Sequence, residues 1–146
     1  MKRLFTLFVA MLMVLTVFAA PAAAADEISV YLNGQKMEFD VPPVLLNDRT
    51  MVPMRAIFEA LGASVSWDDY TDTATGLKDG KSVSVTIDRP EAYVGTEKVM
   101  LDQSPVILND RTLVPLRFVS ESYGAEVNWD DKTQTVSITA DTNEHS

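Results

Sequence analysis

The chain has 146 residues, no cysteine and a formal charge of −9. Disulfide frameworks and thiolate metal sites are therefore excluded, and so strong an acidic balance argues against nucleic acid as a partner, because phosphate backbones would be repelled. The one histidine, His145, cannot by itself build an imidazole metal centre.

The chain begins with Lys2 and Arg3, an almost wholly apolar run from Leu4 to Phe18, and the small residues Ala22, Ala23, Ala24 and Ala25. That pattern predicts a signal peptide over 1–25, cleaved next to Asp26, rather than a membrane anchor, since a bilayer span needs roughly 18 to 20 apolar residues. Loss of Lys2 and Arg3 leaves the exported part at about −11, secreted or on the cell surface and off the membrane. Cysteine-free export suits a Gram-positive bacterium.

After the signal, a shift of 62 positions superimposes two long segments. Asn47-Asp48-Arg49-Thr50 falls on Asn109-Asp110-Arg111-Thr112, Val52-Pro53 on Val114-Pro115, Arg55 on Arg117 and Glu59 on Glu121. Gly62-Ala63 falls on Gly124-Ala125 and Trp67-Asp68-Asp69 on Trp129-Asp130-Asp131; upstream, Tyr31 meets Tyr93 and Lys36 meets Lys98. The expected division is one repeat over 26–88, a second over 89–140 and a polar tail over 141–146.

In the first repeat, Ile28 to Leu32 and Met37 to Val41 read as strands around Asn33-Gly34, a hairpin signal because that turn needs positive φ at both central residues. Pro53 suits the first helical position, and Gly62 the left-handed residue that ends a helix. Met54, Ile57, Phe58 and Leu61 form one apolar stripe between them. Ala63 to Trp67 and Ser82 to Ile87 alternate as strands. The second repeat follows suit, with Gly95-Thr96 at its first turn, Pro115 and Gly124 bounding a helix striped by Leu116, Val119 and Tyr123, then strands carrying Val127, Trp129, Val136 and Ile138. The expected fold is α+β: two tandem ββαββ-type repeats, each a twisted antiparallel sheet on one helix. A unit of about 60 residues without staples buries barely enough apolar surface, so the repeats should share an interface or a continuous sheet.

Arg49, Arg55, Arg111 and Arg117, with Asp48 and Asp110 beside them, are the candidate partner contacts. They serve either as an anion clamp or as locks to carboxylates such as Asp48 or Glu59. Arg55 stands in a first helical turn, where a cation opposes the helix dipole, and Glu59 one turn on can offset it. Trp67 and Trp129 either cap the core or stack on a sugar; each shares a strand face with a valine, which favours the core. Asp68-Asp69, Asp72 and Asp130-Asp131 match no EF-hand spacing and read as acidic turns. Glu59 and Glu121 show nothing of a glycosidase pair, and neither a nucleophile elbow nor a phosphate loop is present. Pro53, Glu59, Gly62, Trp67, Pro115, Glu121, Gly124 and Trp129 are expected to be structural.

The run Asn-Asp-Arg-Thr-x-Val-Pro-x-Arg, followed by Glu, Gly-Ala and Trp-Asp, resembles the copper amine oxidase N-terminal-like domain, also called the stalk domain. The resemblance implies a small sheet wrapped on a helix, found in exported proteins of Gram-positive bacteria and projecting from certain amine oxidases. It implies copper chemistry only for an attached catalytic domain with three histidines and a tyrosine-derived quinone, which this chain lacks. The expectation is an exported, non-catalytic binding or scaffolding module of the cell envelope, without cofactor, whose partner is a wall polymer or another exported protein. A small wall-acting enzyme, or a binder of peptides or regulator of proteases, are the alternatives.

Overall fold

The computed structural model describes residues 27–141. The signal expected at 1–25 and His145 lie outside the described residues. The described chain is α+β: short strands in three sheets, with two seven-residue helices.

β1 (Ser29–Leu32) and β2 (Gln35–Lys36) form the expected hairpin, with Asn33 at φ 51° and Gly34 at 86°. The second strand expected at Met37–Val41 is not one; the ladder stops at Lys36. Its alternation is real, with Met37 and Phe39 half-buried and Val41 buried, but the segment points them at the core without a pairing strand, and Pro42-Pro43 then supplies no N–H groups. A hairpin absent from the expected ββαββ order follows: β3 (Val44–Leu46) and β4 (Arg49–Pro53). Its tip is Asn47-Asp48, at φ 51° and 63°, a conformation Asn and Asp tolerate better than most side chains.

α1 (Met54–Ala60) starts one residue later than expected. Pro53 is the last residue of β4, with ψ 131°, facing Leu113 across the ladder at a place that needs no N–H. Gly62, at φ 94°, closes the helix: its N–H donates to the Glu59 carbonyl at 3.0 Å, and Ala63 N–H to the Phe58 carbonyl at 3.0 Å. Then come β5 (Ser64–Asp68), β6 (Thr73–Lys78) and β7 (Lys81–Thr86). β6 was not foreseen: Thr73-Ala74-Thr75-Gly76 has too few large apolar residues to announce a strand.

The second half supplies β8 (Glu91–Val94), β9 (Glu97–Met100), β10 (Val106–Leu108), β11 (Arg111–Pro115), α2 (Leu116–Ser122), β12 (Glu126–Asp130) and β13 (Thr135–Thr139). Pro115 again closes a strand before its helix, and Gly124 and Ala125 repeat the capping bonds.

Pairing crosses between the halves throughout. The hairpin β8–β9 of the second half extends the first half's sheet, in the order β5-β6-β7-β8-β9. The hairpin β1–β2 of the first half joins β12 and β13, with β1 parallel to β13. Asn33 latches that junction, its side chain donating to the Ala140 carbonyl at 3.0 Å and accepting from Ala140 N–H at 2.9 Å. The third sheet, β10-β11-β4-β3, pairs Val52 with Val114, Met51 with Pro115 and Pro53 with Leu113, a register that a shift of 62 maps onto itself. Two ββαββ units with a sheet each are therefore not what forms; β3, β4 and β6 enlarge the unit, and the sheets mix the halves. The physical reason is the one that predicted sharing: neither half alone encloses its apolar surface. One core cluster accordingly draws Val30, Phe58 and Val83 together with Val114, Val119 and Ile138. A smaller one, Val41, Met51 and Leu113, sits beside the third sheet.

Candidate functional site

Two hollows open where the helix start of one half meets the β-hairpin tip of the other. The smaller, about 540 Å³, is lined by Pro53, Arg55 and Glu59 of the first half and by Asp110 and Arg111 of the second, with Asp40 at its edge. The larger, about 720 Å³, has the matched residues: Pro115, Arg117 and Glu121 with Asp48, Arg49 and Asp102. All six candidate contact residues from the sequence thus line one hollow or the other, three to each.

The arginines are tied down. Arg55 donates to Glu59 at 3.1 Å and Arg117 to Glu121 at 2.9 Å, the pairing expected one helical turn apart. Arg117 also reaches the Val127 carbonyl at 3.2 Å. Arg49 and Arg111 do not turn to Asp48. Arg49 pairs with Asp102, and Arg111 holds one oxygen of Asp40 through Nη2 at 2.7 Å and Nε at 2.9 Å. Both are bonds between halves. The hydrogen bond from Arg111 holds the Asp40 carboxyl below its ordinary range, and Asp40 in turn raises the guanidinium. Sequence reasoning missed Asp40 and Asp102, although they are themselves 62 apart and could have been found by asking which acids recur with the arginines.

The tryptophans diverge. Trp67 is half-buried against the main core, and its indole N–H donates to Asp69 at 2.6 Å. Trp129 makes the same bond to Asp131 at 3.1 Å but is 36% exposed and lines the larger hollow. Leu45 and Met100, the latter 60% exposed, line the same hollow, which therefore has an apolar ledge that the smaller one lacks. The neighbouring acids are turn-formers: Asp68 accepts from Tyr70 N–H at 2.9 Å and Asp130 from Lys132 N–H at 3.0 Å. Glu59 and Glu121 lie in different hollows, each on its own arginine.

A family model of the copper amine oxidase N-terminal domain matches residues 31–138, one span across both halves. The chain belongs to that family. A protein of Brevibacillus choshinensis named as a protease inhibitor is 31% identical to it over 120 residues, covering 82% of this chain and 37% of the relative. The chain thus spans well under half the length of that relative. Copper, which the family name carries, does not suit the residues present: no histidine lies among the described residues, and no three His, Cys, Asp or Glu side chains there are grouped to hold a metal ion. Among the described residues, no helix is long and apolar enough to cross a membrane.

Proposed function

We propose that this member of the copper amine oxidase N-terminal domain family is an exported, non-catalytic binding module of the bacterial cell envelope, holding a wall polymer or another exported protein in the hollow at Trp129. One observation carries the reading: of two hollows built from matched residues, one has gained an open ledge of Trp129, Met100 and Leu45. An exposed indole beside apolar side chains is a binding surface for sugar faces and for peptide side chains. In the same hollow Asp102 and Glu121 are each held by an arginine and Asp131 by the Trp129 indole, an arrangement of ion pairs and a turn rather than of paired catalytic acids.

The test incubates the protein with cell-wall sacculi and compares sedimented protein with released sugar or peptide. Retention that Trp129→Ala abolishes, without release, supports the module. Release of fragments that Glu121→Gln abolishes would make it an enzyme.

Regulation of a protease is the second reading, favoured by the name of the Brevibacillus relative. It predicts dose-dependent loss of activity of a secreted bacterial protease, relieved by Trp129→Ala.

A further inference from the structure

The sheet β5-β6-β7-β8-β9 turns one face to the core through Ala74, Val83, Val85 and Ala92 and presents its alternate residues outward. On that outer face a separate hollow of about 540 Å³ opens over β6 to β9. Its floor is hydroxyl: Thr71 Oγ1 donates to Thr73 Oγ1 at 3.0 Å, and Thr73 meets Thr86 at 2.7 Å. Tyr93, 41% exposed, stands directly opposite Lys98, and Arg89 closes the rim with Glu91.

Arg89 and Lys98 stand apart from the arginines of the two hollows already described. The four ion pairs among the described residues use Arg49, Arg55, Arg111 and Arg117 and leave these two out. Ordinary salt confines the field of distant carboxylates to roughly 8 Å, so the two cations of this lining, against the single carboxylate of Glu91, set the local potential more than the net charge does.

We infer that this outer face carries a second binding site, for an anionic sugar unit: Arg89 and Lys98 take the acid group, Tyr93 takes the face of the ring, and the threonines and Glu91 take hydroxyls. A phenol ring buries the C–H face of a pyranose, two cations give charge-assisted bonds to a carboxylate or phosphate, and Glu91, an acceptor when ionised, can take sugar O–H groups.

The other half supplies a built-in comparison. On the sheet β12-β13-β1-β2, Thr133 donates to Thr135 at 2.9 Å, Ser29 lies opposite Thr135, and Tyr31 lies opposite Lys36. The second sheet has no counterpart of β7 and its Thr86, since β13 pairs β1 directly, and the position matching Arg89 is Glu27. Preference for an acid group therefore belongs to the first sheet and rests on Arg89. This site shares no residue with the hollow at Trp129, so either can fail alone.

The test is ¹⁵N NMR titration of the full chain with glucuronic acid, glucose 6-phosphate, glucose and inorganic phosphate. Either anionic sugar should shift the signals of Arg89, Tyr93 and Lys98, with glucose and phosphate alone each at least about tenfold weaker. Arg89→Glu, which installs the second sheet's residue, and Lys98→Gln should each weaken binding about tenfold without lowering Tm. Absence of shifts with both anionic sugars, equal binding of glucose, equal binding of bare phosphate, or indifference to both substitutions would each overturn the assignment.

Discussion

Phe58 of α1 and Ser120 of α2 stand at matched positions, as do Gly76 of β6 and Ile138 of β13. In the first half the large residue is on the helix and the strand has no side chain at all; in the second the helix residue is small and the strand residue large. All four are buried. A β-carbon on Gly76 would lie 2.3 Å from the Phe58 ring, so the first half accepts only its own distribution of that volume. Duplicated frameworks can thus keep turns, caps and ion pairs in common while exchanging core volume between layers, because packing constrains the sum at a contact more than its parts. The exchange is imperfect. Ser120 Oγ has no hydrogen-bond partner, nor has the hydroxyl of Tyr123, whose ring meets Phe58 edge-on at 6.2 Å.

Transplanting one solution into the other half should give the largest effects. Gly76→Ile should destabilise by about 3 kcal/mol or more through overpacking, and Phe58→Ser by a similar amount through the void it leaves. The double variant recreates the second half's pair, so its loss, read from urea unfolding, should fall short of the two single losses combined by about 2 kcal/mol. Simple additivity would show that the two positions do not share one volume.

The tryptophans give the next effect. Trp67→Ala removes core contacts and should lower stability by about 2 kcal/mol, whereas Trp129→Ala should lower it by less than about 1 kcal/mol and act on sacculus binding instead. Equal losses would erase the distinction between core cap and ledge. Smaller still is the pH response of the ion pairs between halves. The Asp40 carboxyl is depressed in the folded state, so its contribution is fully present above the ordinary carboxylate range and is lost as pH falls through the lowered value. The difference in urea midpoint between wild type and Asp40→Asn should accordingly be visible at pH 6 and shrink towards pH 3. Both members of the pair are exposed, so the difference should be small and salt-sensitive.

Much of this arrangement was legible beforehand. The period of 62, the Asn33-Gly34 turn, the helix stripe and the closing Gly62 and Gly124 are set by local backbone chemistry, which sequence displays directly. What escaped depends on partners far along the chain. Arg49 and Arg111 announced a need for carboxylates, but only the crossing of the third sheet sets Asp102 and Asp40 within reach. β6 was hidden because its core-facing residues are Ala74 and Gly76, small to make way for helix side chains such as Phe58. Trp67 and Trp129 each follow a valine two places back and precede two aspartates; their different exposure comes from the surroundings each half provides, and that shared pattern does not encode it.

The smallest expected effect tests the imperfection in the exchange. Burial raises the Tyr123 phenol to about 12 from an ordinary value of 10, because the ionised form would sit in the interior without a donor. Above pH 10 the unfolded chain releases this proton while the folded chain retains it, so the unfolded state binds fewer protons and stability declines until pH passes about 12. Tyr123→Phe removes both the titration and an unpartnered hydroxyl. It should leave stability near neutral pH unchanged or slightly higher and flatten the decline between pH 10 and 12, measured as urea midpoints with Tyr70→Phe as the exposed-ring control. A decline that persists unchanged in Tyr123→Phe would mean that the hydroxyl is hydrated in solution and that the second half carries no such burden.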